Sequence, residues 1–298
     1  MKRVVLSIIF VLFFLGGCIS SEPSAKNVDA VIFSFDRPLQ LYALLESIEK
    51  YMQGLNEIHV IYRSSSTEYQ TAYLHVFERY PSVKQHVQGA NPQQDFKPLT
   101  LQATFDSPAE YVIFAVDDIV VKDNVDLNEC TQAMQKHNAY GFFLRLGTHV
   151  NYCYSVNQSQ PIPPLNTLEP TILAWQFRQG HHDWGYPNTV DMTIYRKKEI
   201  EPLFRQLQFE NPNLLEARWS GTAHAVAHRI GLCYADSKMV NLPLNRVQHT
   251  FANRVMNQFS TQDLLKIFNE NKKMDISPLA QIKNNGAHME YIPTFINQ

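Results

Sequence analysis

Three short apolar runs, each stopping at a charged residue, constrain this chain most. VDAVIFSF (28–35) leads into Asp36-Arg37-Pro38, EIHVIYR (57–63) ends on Arg63, and EYVIFAVDD (110–118) ends on Asp117-Asp118. Runs of this length, rich in β-branched and aromatic residues and without polar alternation, predict strands buried on both faces. Pro38 suits a first helical turn, and Leu39, Tyr42, Leu45 and Ile48 follow at helical spacing. Ser64–Thr67 predicts a cap for a helix over 68–80. SVKQHV (82–87) reads as a weaker strand, and a looser helix near 99–106 precedes the last run. Strand and helix alternating every ~25 residues predict a parallel sheet covered on both faces. Ligands of such sheets sit beyond the carboxyl ends of the strands, which is where Asp36, Arg63, Asp117 and Asp118 fall.

The second half is less regular. YGFFLRLG (140–147), TILAWQF (171–177) and TVDMTIY (189–195) predict strands, the last two flanking GHHDWGYP (180–187). Helices are expected over 197–207 and about 213–230, then a strand near 239–243 and a helix near 260–270. Residues 151–170 are rich in Pro, Asn and Gln and read as a loop. No boundary divides the body, so 28–298 is expected to be one domain. The full 298-residue chain has 26 Lys+Arg against 28 Asp+Glu, a formal net charge of −2. That balance excludes a sequence-independent nucleic-acid binder, which needs a basic surface; Arg196-Lys197-Lys198 and Lys272-Lys273 are short and separated. Hydrophobic residues make up 45% and charged residues 18%, enough for a sizeable core.

The N-terminus reads as a targeting segment. Lys2 and Arg3 precede the apolar stretch 4–17, VVLSIIFVLFFLGG, which is of signal-peptide length and short of the ~20 residues of a full bilayer crossing. It ends in Leu15-Gly16-Gly17-Cys18 and resembles a bacterial lipobox, in which Cys18 is lipidated and becomes the mature N-terminus. An uncleaved anchor over 1–18 is the alternative, and 19–27 reads as a tether. Either arrangement predicts membrane association. The remaining cysteines, Cys130, Cys153 and Cys233, are scattered, odd in number and without a CxxC pair, so neither a disulfide framework nor a cysteine zinc site is expected.

Two adjacent carboxylates at a strand end are costly unless a cation or water neutralises them. Oxygen ligands favour Mg²⁺ or Mn²⁺, ions that also bind diphosphates. Asp117-Asp118 is therefore the leading functional candidate. Other clusters are weaker. His224 and His228 in HAVAH have helical i, i+4 spacing, but Ala225 stands where a metalloprotease has its glutamate. His181-His182-Asp183 reads as a loop. Ser64-Ser65-Ser66 lacks the GxSxG setting of a nucleophile. Asn157-Gln158-Ser159 matches a glycosylation sequon.

VIFSFDRPLQLYALLESI (31–48), IHVIYRSSS (58–66) and EYVIFAVDDIVV (110–121), in that order, resemble a nucleotide-sugar glycosyltransferase of GT-A fold, family 2-like. WGYPNTVDMTIYRKKEIEPL (184–203) resembles its acceptor-side region, and NPNLLEARW (211–219) stands where many inverting members place a catalytic carboxylate. The resemblance covers about 28–250. It implies a three-layer α/β/α sandwich with a mostly parallel central sheet, a nucleotide-binding half over about 28–125 and an acceptor-side half over about 126–298. It further implies a sugar moved from a nucleotide-diphosphate donor to a hydroxyl of a glycan or other acceptor, with inversion and with Mg²⁺ or Mn²⁺. By resemblance, Asp118 coordinates the metal, and Asp117 faces the metal waters or the ribose. Asp36 and Arg37 border the base, and Arg63 lies near base or ribose. Glu216 is the base, with Asp191 the alternative; Trp184 and Tyr186 stack on a sugar. Val116 stands where a strict DxD motif has its first Asp, and His249 is the expected third metal ligand.

A second reading is a lipoprotein that keeps this fold but only binds a glycan. Lipidation at Cys18 places the domain on the periplasmic or cell-surface side, where nucleotide sugars are not expected to be plentiful.

Overall fold

A computed structural model describes residues 26–248 and 250–298. Nine strands form one sheet: β1 (Val28–Phe35), β2 (Leu55–Arg63), β3 (Lys84–Val87), β4 (Tyr111–Val116), β5 (Gly141–Phe143), β6 (Asn166–Glu169), β7 (Ile172–Gln176), β8 (Thr193–Arg196) and β9 (Ile230–Tyr234). Their spatial order is β6-β7-β9-β5-β8-β4-β1-β2-β3. The pairs β4–β1, β1–β2, β2–β3 and β9–β5 are parallel. β8 lies antiparallel between β4 and β5, and β7 antiparallel between β6 and β9. All strands but β7 and β8 therefore point the same way, and the sheet is mostly parallel.

The period of two along each central strand supplies two cores. Val28, Ala30 and Ile32 of β1 join one, together with α1 (Pro38–Tyr51), α2 (Thr67–Arg79), α4 (Leu127–Lys136) and α7 (Thr261–Asn269). Val31 and Phe33 join the other, together with α3 (Pro92–Phe105), α5 (Lys197–Gln206) and α6 (Pro212–Ser220). Both faces of β1 are thus covered, which accounts for its unbroken apolar sequence. The result is the expected α/β/α sandwich. Phe114 of β4 anchors the second core, stacked on Phe204 at 5.5 Å between ring centroids and edge-on to Trp219 at 6.1 Å.

Several expectations shift. The helix near 99–106 begins earlier, at Pro92. The strand expected over 140–147 covers only Gly141–Phe143, because the chain turns there and the Leu146 N–H bonds back to the Phe143 carbonyl at 3.3 Å. The helix expected over 213–230 stops at Ser220. A short 3₁₀ turn follows at Ala223–Val226, and then β9. His224 and His228 are therefore not one helical turn apart. No helix among the described residues is long and apolar enough to cross a membrane.

Candidate functional site

The carboxyl ends of β1, β2 and β4 open on a cleft of about 700 Å³. After β1, Asp36 takes a left-handed conformation, φ 51°, which Asp tolerates better than most residues. Its N–H bonds to the Arg63 carbonyl at 3.3 Å, and its carboxylate accepts the Ser65 N–H at 2.8 Å. This turn aims Arg37 back across the strand ends before Pro38 starts α1.

Arg37 meets the acidic pair directly. Its Nη1 donates to Asp117 Oδ1 at 2.9 Å and to Asp118 Oδ2 at 3.0 Å. Its Nε donates to Asn245 Oδ1 at 2.9 Å, and Nη2 donates to the Asn245 carbonyl. Asp117 Oδ2 accepts from Ser34 Oγ at 2.8 Å and from the Phe35 N–H at 3.2 Å. A hydrogen-bond chain backs this contact: the Arg37 N–H donates to Tyr73 Oη at 3.1 Å, and Tyr73 Oη lies 2.6 Å from Ser34 Oγ. Asp118 Oδ1 accepts from Asn241 Nδ2 at 2.8 Å. Burial pushes the Asp117 carboxyl up to about 6 against the pull of Arg37, with Asp118 adding to the rise. Burial disfavours the Arg37 charge, but the two aspartates outweigh it and hold the guanidinium ionised above its ordinary range.

A second group of carboxylates faces the same cleft. Asn211 caps α6 by accepting the Leu214 N–H at 2.9 Å, and Glu216 lies on that helix. Glu216 Oε1 accepts from Thr189 Oγ1 at 2.7 Å and from the Val190 N–H at 3.0 Å, which ties α6 to the loop entering β8. Asp191 is on that loop, just before Met192 with φ 39°. Removal from water pushes Glu216 up to about 7, with the Asp191 charge adding to the effect. The same cause raises Asp191 to about 6, against Arg145. Arg145 is 2% exposed and donates to Asp183 Oδ1 at 2.9 Å and to the carbonyls of Asp183 and Tyr186 at 3.1 and 3.3 Å. His288 Nε2 lies 3.8 Å from Asp191 Oδ2. Its segment is held beside Asn241 by paired backbone bonds of 2.9 Å. Burial keeps the His288 imidazole below its ordinary range despite the acids around it.

The structure thus brings Arg37, Arg63, Asp117, Asp118, Tyr186, Asp191 and Glu216 to one cleft. The Arg63 guanidinium lies over the Phe35 ring, 4.7 Å from its centroid. Asp36 is not among the lining residues; it shapes the turn instead. Trp184 is fully buried: its indole N–H donates to the Val150 carbonyl at 2.8 Å and its ring packs 5.0 Å from Trp175. Its faces are closed to a sugar, and only Tyr186 of that pair is available. Cys18 and His249 lie outside the described residues. Arg145 and His288 were not singled out from the sequence. Arg145 falls inside the run 140–147 that reads as a strand, so no strand-end signal marks it, although the strand ends at Phe143; His288 sits in a segment without a pattern.

The expected ion meets a donor set already in use. Nη1 of Arg37 already bridges the two carboxylates, and both lone pairs of Asp117 Oδ2 are engaged. The pair does not fit an ion chelated by both side chains. Among the described residues, possible ligand atoms gather within 4.8 Å of one another at Asp29, Glu57 and His59. That cluster is at the opposite edge of the sheet, where the Lys197 ammonium donates to Asp29 Oδ2 at 2.6 Å.

No protein-family model matches the chain. It is 27% identical over 284 residues to the bifunctional glycosyltransferase pgtA of Dictyostelium discoideum, an alignment covering 84% of this chain and 36% of that protein. The chain therefore spans about a third of that relative's length. Among solved structures, S. aureus TarS 1-349 in complex with UDP superposes with a TM-score of 0.47 at 14% identity, covering 72% of this chain and 59% of that one. A mannosyltransferase of Pyrobaculum calidifontis, in complex with GDP-Man and Mn²⁺, does so with a TM-score of 0.38 at 9% identity, covering 71% of this chain and 56% of that one.

Proposed function

We propose that the protein is a glycosyltransferase that moves a sugar from a nucleotide-diphosphate donor to a hydroxyl acceptor with inversion. The observation that carries the reading is that two separate carboxylate groups, Asp117-Asp118 and Asp191-Glu216, open on one cleft at the ligand edge of the sheet. Sequence similarity to a glycosyltransferase over most of the chain supports it. The nucleotide lies on the side of Phe35, Ile61, Arg63 and Phe96, and the acceptor on the side of Tyr154, Asp183 and Tyr186.

Glu216 is the base. Among the described residues, the hydrogen bonds to Glu216 go to Oε1, which leaves Oε2 to take the proton of the acceptor hydroxyl. The acceptor oxygen, its proton passed to Glu216, forms the new bond to the anomeric carbon as the bond to the donor phosphate breaks, and the nucleoside diphosphate leaves with the electron pair. A carboxylate held near 7 suits this exchange at neutral pH. The half-buried Tyr186 ring packs on the apolar face of a sugar. The expected Mg²⁺ or Mn²⁺ takes no part in these steps, because Arg37 lies between the acids.

The direct test is nucleotide release from UDP-, GDP- and dTDP-sugars. Turnover of at least one donor is expected, lowered in Asp118→Ala because Arg37 loses one of its two anionic partners. Tight glycan binding without turnover of any donor favours the binding-protein reading. We also propose membrane attachment through residues 1–18. Incorporation of labelled palmitate, lost in Cys18→Ser, distinguishes lipidation from an uncleaved anchor.

A further inference from the structure

We propose that Arg37 is the permanent counter-ion of Asp117-Asp118 and the group that meets the donor's diphosphate, so that nucleotide binding needs no divalent cation. This rests on the glycosyltransferase reading and specifies how its donor is held.

The argument begins with position. One nitrogen, Nη1, lies 2.9 Å from one carboxylate and 3.0 Å from the other, the point at which a shared ion would have to sit. Displacing it is costly, because the same guanidinium is fastened on its far side to Asn245 through Nε and Nη2. The backbone of Arg37 is fastened as well, through Tyr73 Oη, and the left-handed turn at Asp36 fixes its direction. An ion entering between the acids breaks both Nη1 bonds and pushes a buried cation toward itself.

The donors also add up. A guanidinium carries five N–H groups. Here Nε uses one, Nη1 two and Nη2 one, so one N–H of Nη2 has no protein acceptor among the described residues. Arg37 lines the cleft; its charge does not titrate, and its planar fork suits phosphate oxygens. Arg63 and the exposed Arg246 line the same cleft and add positive charge beside it. The aspartates then serve to aim the arginine. Asp117 reads as a positioning residue, and its enclosure by Ser34, Phe35 and Arg37 accounts for its leaving no face to an ion.

The test is calorimetric titration of the full chain with UDP, GDP and dTDP, in EDTA and again with Mn²⁺, together with electron paramagnetic resonance of Mn²⁺ and protein without nucleotide. For the wild type, affinity within about twofold in the two media is expected, with no bound Mn²⁺ signal that depends on Asp118. Arg37→Ala should weaken nucleotide binding by ~10- to 100-fold in EDTA, the usual loss for a hydrogen bond between charged groups. Mn²⁺ should restore part of it, because the bared carboxylates can then take the ion. Arg37→Lys keeps the charge without the fork and should fall between. Loss of tenfold or more in wild-type affinity on chelation, reversed by Mn²⁺, overturns the proposal. So does a wild-type bound Mn²⁺ signal that disappears in Asp118→Ala. Failure of every nucleotide in both media overturns the glycosyltransferase reading instead, and the Mn²⁺ signal still decides whether Arg37 or an ion neutralises the pair.

Discussion

Replacing Glu216 by Gln separates what this residue contributes to catalysis from what it costs the fold. Its carboxyl rises from 4.5 in the unfolded chain to about 7 in the cleft. Between those values the folded protein holds a proton that the unfolded chain has released. Stability therefore falls as pH rises from about 4.5 to 7 and stays low above. The span corresponds to on the order of 3 kcal/mol. Gln is neutral throughout and keeps an oxygen for Thr189 and Val190. Glu216→Gln should thus unfold roughly 5–10 °C higher than wild type at pH 8 and at nearly the same temperature at pH 4.5. Its turnover should drop ~10²- to 10⁴-fold, the range for a lost general base, while nucleotide affinity stays within about threefold. Wild-type turnover should fall on acidification through about pH 7, as the base becomes protonated. Calorimetry at the two pH values and a nucleotide-release assay read these outcomes. A variant no more stable at pH 8, or one that keeps wild-type turnover, would refute the reasoning.

Other expectations are simpler. Asp117→Ala leaves the Arg37 charge buried without one of its two anionic partners and should cost ~3–5 kcal/mol in denaturant melts; a loss below ~1 kcal/mol would show that Asp118 alone suffices. Phe114→Ala removes the ring between Phe204 and Trp219 and should cost a similar ~3–5 kcal/mol, without changing the pH profile of turnover. In Gly180→Ala the new methyl carbon meets the Trp184 carbonyl at 2.3 Å, so the 180–187 loop must shift; a lowered melting temperature with weakened acceptor use is expected. Tyr186→Ala should raise the KM for acceptor more than that for donor, and an equal rise in both would remove the ring from the acceptor wall.

The first half was legible because three of its strands, β1, β2 and β4, are apolar runs ended by a charge, so one rule located both those strands and the residues at their tips. The second half mixes signals. Helical spacing over 213–230 conceals the strand Ile230–Tyr234, and the helix Leu127–Lys136 is not among the elements the sequence predicts. Yet Asp126 caps that helix through the N–H groups of Asn128 and Glu129, and Leu127, Cys130, Thr131 and Met134 mark its buried face. The neutralisation of Asp117 and Asp118 was expected from their adjacency. That Arg37 supplies it was not, since a turn bending a residue back over the sheet has no counterpart in linear spacing. Trp184 failed for a related reason: an aromatic in a loop looks available until its indole N–H is found bonded inside the core.

The reversed direction of β8 has an architectural consequence. Its entry loop arrives at the same rim where its parallel neighbours leave, so one edge of the sheet collects chain segments travelling both outward and inward. The wall bearing Asp191 is therefore covalently remote from the wall bearing Arg37. Residues inserted between β5 and β8 would reshape one wall and leave the pairing of β1 with β2 and β4 untouched. On the glycosyltransferase reading, the acceptor wall can in this way change without rebuilding the donor wall.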